Sequence, residues 1–192
     1  MTAAYWQRKL GKRVSENLPQ IITGCKAGHR KSQEALYRQY YAYSMSIGLR
    51  YGKSRAEAEE IVQDAFIKLF KNITRYDEAQ AFKSWFRRIL VNAAIDYYRR
   101  NEKHQHHQDI EAAYEVGHDE GALEQLSSQD IMAAVQQLPP AYRLVFNLYA
   151  VEGYKHHEIA EQLNISEGTS KSNLAKARNK LQGALSHMYD KR

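Results

Sequence analysis

A single cysteine, Cys25, stands in the 192 residues. One thiol cannot build an internal disulfide framework or a multi-cysteine metal site, which suits a reducing cytosol, and its expected place is as a small apolar packing residue. Long apolar runs are missing as well. None approaches the roughly 18 to 20 residues that span a bilayer, and the N-terminal stretch lacks the apolar block of a secretory signal. The expectation is therefore a cytoplasmic protein with no direct membrane insertion. Strict apolar–polar alternation never persists long enough to argue for a sheet. Gly-rich phosphate loops and nucleophile elbows are absent, so no catalytic, cofactor-binding or metal-binding residues are assigned and no enzymatic activity is expected.

What is present is charge in blocks. The net charge of +6 divides into +10 over residues 1–103, −7 over 104–130 and +3 over 131–192. Two basic blocks around an acidic one point to two surfaces for a polyanion, held apart by a segment that such a polymer would repel.

Hydrophobic spacing is helical nearly everywhere, which predicts an all-α chain. A short helix is expected over Pro19–Ala27 with Gly28 as its break, and a longer one over 30–51, ending near Gly52. Ala35, Leu36, Tyr40, Tyr43 and Ile47 give the second its core stripe. Ser54 is a fitting N-cap for a third helix, with Glu57 in capping-box position and an apolar stripe of Ala58, Ile61, Val62, Ala65, Phe66 and Leu69. Asn72–Gln80 breaks the pattern. A fourth helix then spans about Ala81 to Arg100, with Phe82, Trp85, Phe86, Ile89, Ala93 and Tyr97 inward. Residues 102–126 lose periodicity and read as a flexible acidic linker. Helical spacing returns at Ile131–Leu138, is cut by Pro139–Pro140, and resumes to about Val151. After Gly153, Lys155–Leu163, the turn Asn164–Ile165–Ser166 and a helix from Glu167 to about His187 have helix-turn-helix spacing.

Three surfaces follow. In the helix-turn-helix, Ile159, Ala160, Leu163 and Ile165 belong where the helices pack, and Ser166 caps the second helix, which buries Leu174, Ala177, Leu181 and Leu185. Its N-terminal half offers Thr169, Lys171, Ser172, Asn173 and Lys176, donors suited to base edges and phosphates of a duplex. The third helix presents Glu60, Gln63, Asp64 and Ile67 opposite its core stripe, a pattern that suits a docking face and equally an ordinary solvated one. In the loop and fourth helix, basic and aromatic residues interleave: Arg75, Tyr76, Phe82, Lys83, Trp85, Arg87, Arg88, Asn92, Tyr97, Tyr98, Arg99 and Arg100. Such groups suit single-stranded nucleic acid, each base stacked on an aromatic ring contributing on the order of 1–3 kcal/mol. Tyr76, in the loop, is the ring expected to be free for a base.

The stretch RYGKSRAEAEEIVQDAFIKLFKNITRYDEAQAFKSWFRRILVNAAIDYYRRNEK resembles region 2 of extracytoplasmic-function sigma factors, and LPPAYRLVFNLYAVEGYKHHEIAEQLNISEGTSKSNLAKARNKL resembles their region 4. With the preceding LYRQYYAYSMSIGLRY the likeness covers most of residues 20–186. It implies two small helical domains: region 2 over 19–101 and region 4 over 127–188, joined by the linker 102–126 and preceded by a basic tail 1–18. By resemblance, Glu60, Gln63, Asp64 and Ile67 would dock on the clamp helices of the largest subunit of core RNA polymerase. Asn72, Arg75, Tyr76, Lys83, Arg87, Arg88, Asn92 and Arg99 would melt and hold the −10 promoter element. Lys155, His156, Thr169, Lys171, Ser172, Asn173 and Lys176 would read the −35 duplex, while the other side of region 4 contacts the flap of the second-largest subunit. An anti-sigma partner is also implied. The chain departs from many members at Ser170, Asn173 and Ala175, which bears on its −35 sequence preference.

Two other readings compete. A stand-alone helix-turn-helix regulator explains residues 131–192 equally well and leaves the aromatic-basic first block unexplained. A metalloenzyme using His104, His106, His107 and His118 would need a rigid shell around its ligands, and this segment has little apolar content to build one.

Overall fold

Pro19 opens the first helix of the described residues, α1 (Leu18–Lys26), in the turn where a missing N–H costs nothing, and Gly28 with φ +78° leads out of it. The computed structural model describes residues 17–105 and 128–190, with side chains for 17–101 and 130–186. The tail and most of the expected linker, with His106, His107 and His118, lie outside the described residues.

Helix α2 (Arg30–Tyr51) and helix α3 (Arg55–Asn72) form the base of the first module. Ser54 Oγ accepts from the Glu57 N–H at 3.2 Å, while the Glu57 carboxylate turns back to the Lys53 N–H at 2.8 Å, one residue earlier than a standard capping box. Every residue of the predicted α3 stripe is buried, none more than 3% exposed. Gly48 lets α2 lie close on α3: a Cβ there would sit 2.9 Å from the Ala58 carbonyl and 3.1 Å from Val62 Cγ2. A 3₁₀ turn (Ile73–Arg75) and a loop lead to α4 (Phe82–Gln105), which closes the core with Phe82, Phe86, Leu90 and Ala93. Cys25 packs there too, and burial pushes its thiol up to about 11.

Helix α4 runs on through residues 102–105, so the helix takes the first residues assigned to the linker. Asn101–Gln105 contains no glycine or proline to stop it, and Glu and Lys are good helix formers.

In the second module, α5 (Ser128–Gln137) ends before Pro139–Pro140, and α6 (Pro140–Phe146) widens into a π-helical turn (Asn147–Val151). After Gly153 (φ +79°) come α7 (His156–Leu163), Asn164 in the left-handed region (φ 54°, ψ 45°), and α8 (Glu167–Asp190). Ala134, Val135 and Leu138 pack on Ala177 and Leu181. No strand occurs among the described residues, and no helix there is long and apolar enough to cross a membrane.

The two modules are not held apart. Leu144, Val145, Leu148 and Ile159 belong to the same apolar cluster as Leu36, Phe86 and Leu90. The physical reason is a second apolar face on α4, Val91, Ala94 and Ile95, each at most 2% exposed, which the one-sided stripe read from sequence omits.

The contact at Gly48 should not tolerate a branched side chain. Gly48→Val is expected to destabilise the chain by roughly 1–3 kcal/mol through overpacking, read as a lower urea midpoint with an unchanged slope.

Candidate nucleic-acid interface

The helix-turn-helix is built by capping and a left-handed turn. Ser166 Oγ accepts from the Thr169 N–H at 2.9 Å and so satisfies one of the open donors at the start of α8. Ile159, Leu163 and Leu174 are buried in one cluster where α7 and α8 meet, Ala160 is buried as well, and Ala177 is buried on the side of α8 that faces α5. The opposite side of α8 presents Thr169, Lys171, Ser172 and Lys176 as exposed side chains and Asn173 as a half-exposed one. Lys171 lies 3.8 Å from Glu167, and Lys176 Nζ stands 5.9 Å over the Tyr142 ring. Lys155 caps α7, its N–H donating to Glu158 at 2.7 Å.

His156 is placed differently from its expected neighbours. Its ring stacks on Tyr149 (4.6 Å between centroids, 23°), and its Nδ1 lies 2.9 Å from Ser170 Oγ. Ser170 itself is fully buried. The pair joins α7 to α8, so His156 acts as a packing joint as well as a neighbour of the exposed face.

On α3, Glu60, Gln63 and Ile67 are exposed, Ile67 at 52%. Asp64 is half-buried and takes a 2.6 Å bond from Arg100 Nη2, which also lies 3.6 Å from Glu60. Sequence reasoning assigned Arg100 no such role, because the pairing joins residues 36 apart and leaves no periodic signal.

Tyr76 is the clearest correction. Its ring is 6% exposed, packed on Phe82 (5.3 Å, 88°) and Trp85 (5.0 Å), and its hydroxyl donates to the Gln80 carbonyl. It is therefore not free for a base. The loop folds back on its own aromatic cluster, and Trp85, expected inside, is left half-buried. Lys26 on α1, which sequence reasoning missed, holds the loop: its Nζ lies 2.8 Å from Glu78 Oε1 and 5.8 Å over the Tyr76 ring. Asn72 donates to the Lys68 carbonyl at 2.8 Å, finishing α3, and Arg75 is exposed.

Along α4, Lys83 is exposed with its Nζ 4.7 Å over Tyr43, and Arg88, Asn92 and Arg99 are exposed. Arg87 is held by Glu152 in a two-pronged ion pair, Nε to Oε2 at 2.6 Å and Nη2 to Oε1 at 2.9 Å. Arg87 and Arg88 line a cleft with Glu152 and Tyr154, and farther along α4 a second cleft is lined by Asn92, Arg99 and Gln162. The structure thus brings Arg87, Arg88, Asn92 and Arg99 to one side of α4, with Asn72, Arg75 and Tyr76 in the segment leading to its N-terminal end.

Two family models match the chain: Sigma-70 region 2 over residues 36–104 and Sigma-70 region 4 over residues 128–181. Among curated relatives, the ECF RNA polymerase sigma factor SigM of Mycobacterium tuberculosis (strain ATCC 25618 / H37Rv) is 25% identical over 178 residues, 93% of this chain and 89% of that protein. The ECF RNA polymerase sigma-E factor of Escherichia coli (strain K12) is 26% identical over 173 residues, 82% and 88% of the two chains. Among solved structures, the sigma factor RpoE in complex with the anti-sigma factor NepR from Bartonella quintana has a TM-score of 0.48 at 22% identity, covering 80% of this chain and 96% of that one.

The Lys26–Glu78 contact is partly exposed, so its contribution to stability should be under about 1 kcal/mol while its local effect on the loop is direct. Lys26→Met is expected to raise amide exchange across residues 76–80 by roughly 2- to 5-fold, with the buried α3 amides unchanged. Hydrogen exchange read by mass spectrometry checks this.

Proposed function

The chain belongs to the sigma-70 family of RNA polymerase sigma factors, in its extracytoplasmic-function group, and from that premise we propose how its two modules divide the work. A sigma factor binds core polymerase and directs it to promoters. In this chain, α8 enters the major groove of the −35 element with Thr169, Lys171, Ser172, Asn173 and Lys176, and Lys155 reaches a flanking phosphate. His156 stands at the rim of that face, held by Ser170. The side of α4 carrying Lys83, Arg87, Arg88, Asn92 and Arg99 takes the separated −10 strand, with Asn72 and Arg75 at its approach. Trp85 is the aromatic face the strand meets first, and Tyr76 shapes the loop from beneath. Glu60, Gln63, Asp64 and Ile67 dock on the clamp helices of the largest subunit, and region 4 also meets the flap of the second-largest. The chain works in the cytoplasm, carries out no catalysis of its own, and is restrained by an anti-sigma protein. The first domain runs with its helices from Leu18 to Gln105 rather than over 19–101, the second is taken over 127–188, and the basic tail and the remainder of the linker lie outside them.

One observation carries this reading: a single chain pairs an exposed donor face on the capped recognition helix of its second module with an arginine-lined flank on α4 of its first. A stand-alone repressor needs only the first. Electrostatics gives each surface its affinity, since every phosphate neutralised releases counterions, and the amide and hydroxyl donors then set sequence.

Purified core polymerase supplied with this chain should initiate at a defined promoter. A chain that binds duplex DNA and forms no stable complex with core would make the regulator reading the better one. The double variant Lys171→Ala, Lys176→Ala should weaken −35 binding on all sequences alike and flatten the plot of log affinity against log salt by about 2, leaving core binding intact. Titrating salt against a fluorescent duplex measures it.

A further inference from the structure

Resting on the assignment of the −35 duplex to α8, we propose that Ser170, His156 and Tyr149 are positioning residues for base readout: a polar joint, rather than the apolar core, fixes how far α8 is rotated about its own axis.

Apolar packing holds α8 in place without aiming it. Leu174 meets Ile159 and Leu163 in one cluster, and such contacts are non-directional, so a small turn of the helix costs them little. A directed contact is needed in addition. Ser170 and Arg178 lie four residues before and four residues after Leu174, on the same helical face. Both lead to one place in the second module. Ser170 Oγ lies 2.9 Å from His156 Nδ1, His156 stacks on Tyr149 with 4.6 Å between centroids, and the Arg178 guanidinium stands 5.8 Å over the same Tyr149 ring. Helix α8 is thus registered at two points, residues 170 and 178, roughly 12 Å apart along its axis.

The joint is built to hold one setting. Ser170 is fully buried, where a hydroxyl deprived of its partner is costly. Because a hydroxyl both donates and accepts, the bond stands whichever ring nitrogen of His156 carries the proton. The π turn fixes Tyr149 from beneath: Asn147 Nδ2 donates to the Arg143 carbonyl at 2.9 Å, and the Glu152 N–H donates to the Asn147 carbonyl at 3.0 Å. Ser170 stands in sequence between Thr169 and Lys171, whose side chains are exposed on the reading side. Side chains reach roughly 6 Å from a helix axis, so a rotation of about 15° carries their ends about 1.6 Å sideways. A productive contact tolerates about 0.5 Å. The setting of Ser170 against His156 therefore decides which base edges the readers meet.

The test uses the full-length chain bound to core polymerase. Selection from a pool of randomised duplexes gives the −35 element that the parent enriches. Discrimination is the affinity for that duplex divided by the affinity for one with the element scrambled. Ser170→Ala removes the bond, and Tyr149→Leu removes the ring under His156 and Arg178; neither side chain is among the proposed readers. Each should lower discrimination by roughly 10-fold, the scale of one lost base contact, and alter the element that the variant itself enriches. Tyr149→Phe keeps the ring and should match the parent. A purely structural role gives a different result, because a smaller folded fraction weakens both duplexes by one factor and leaves their ratio alone. Ratios within about 2-fold of the parent in both Ser170→Ala and Tyr149→Leu would overturn the proposal, even where the urea midpoint falls. Failure of the −35 assignment is marked separately: Asn173→Ala, on the reading side, would then leave the enriched element unchanged, which removes the reader and the proposal with it.

Discussion

Helix α4 has two apolar faces, and the rest of the chain is arranged to cover both. Phe82, Phe86, Leu90 and Ala93 are covered from one side by α2 and α3, while Val91, Ala94 and Ile95 on the other side are covered in the presence of α6, α7 and the π turn. Leaving Val91 and Ile95 in water would forfeit about 1.5–3 kcal/mol each. That area is the main attraction between the modules. The ion pair of Arg87 with Glu152 adds less than its geometry suggests, because both partners give up hydration to form it. Its larger effect is on direction, since a fork meeting a carboxylate accepts one relative orientation.

Most helix limits were legible because they are written in short-range chemistry. Ser54 with Glu57, Ser166 with Thr169, the prolines 139 and 140, and glycines 28 and 153 each act within a turn of themselves, and the α3 stripe needs only its own period. The misplaced residues share the opposite property. Which ring of the Tyr76–Phe82–Trp85 cluster is covered depends on where the loop folds back, and Lys26, 52 residues before Glu78, helps decide it. The second face of α4 does show Val91 and Ile95 at i, i+4. Arginines 87, 88 and 99 around them made that side read as a surface for nucleic acid, and the surface that covers it lies about 50 to 70 residues on. Charge blocks were visible from composition, but the pairs that consume them were not. Arg100 with Asp64 and Arg87 with Glu152 are tertiary facts.

The buried polar groups lie where the second module must hold its shape. Asn147 spends both amide hydrogens, one on the Arg143 carbonyl at 2.9 Å and one on the Arg50 carbonyl of α2, so one side chain ties the π turn to its own helix and to the first module. Arg143 Nη1 donates to the Gln136 and Leu138 carbonyls at 2.8 and 3.3 Å, finishing α5 where Pro139 prevents the backbone from doing so. The π turn carries the chain on to Glu152, whose N–H bonds back to Asn147, and so delivers the Glu152 carboxylate to Arg87 on α4.

On α8 the side chains divide cleanly into those that hold the helix and those that face outward. Ser170, Leu174 and Ala177 are buried and Thr169 joins the Ser166 cap, while Lys171 and Ser172 project with no part in the apolar core. A lineage can therefore exchange the projecting set freely, since a surface replacement away from a cap costs within about 0.5 kcal/mol. Duplicated copies of such a gene would drift toward different DNA vocabularies while keeping one grammar of folding.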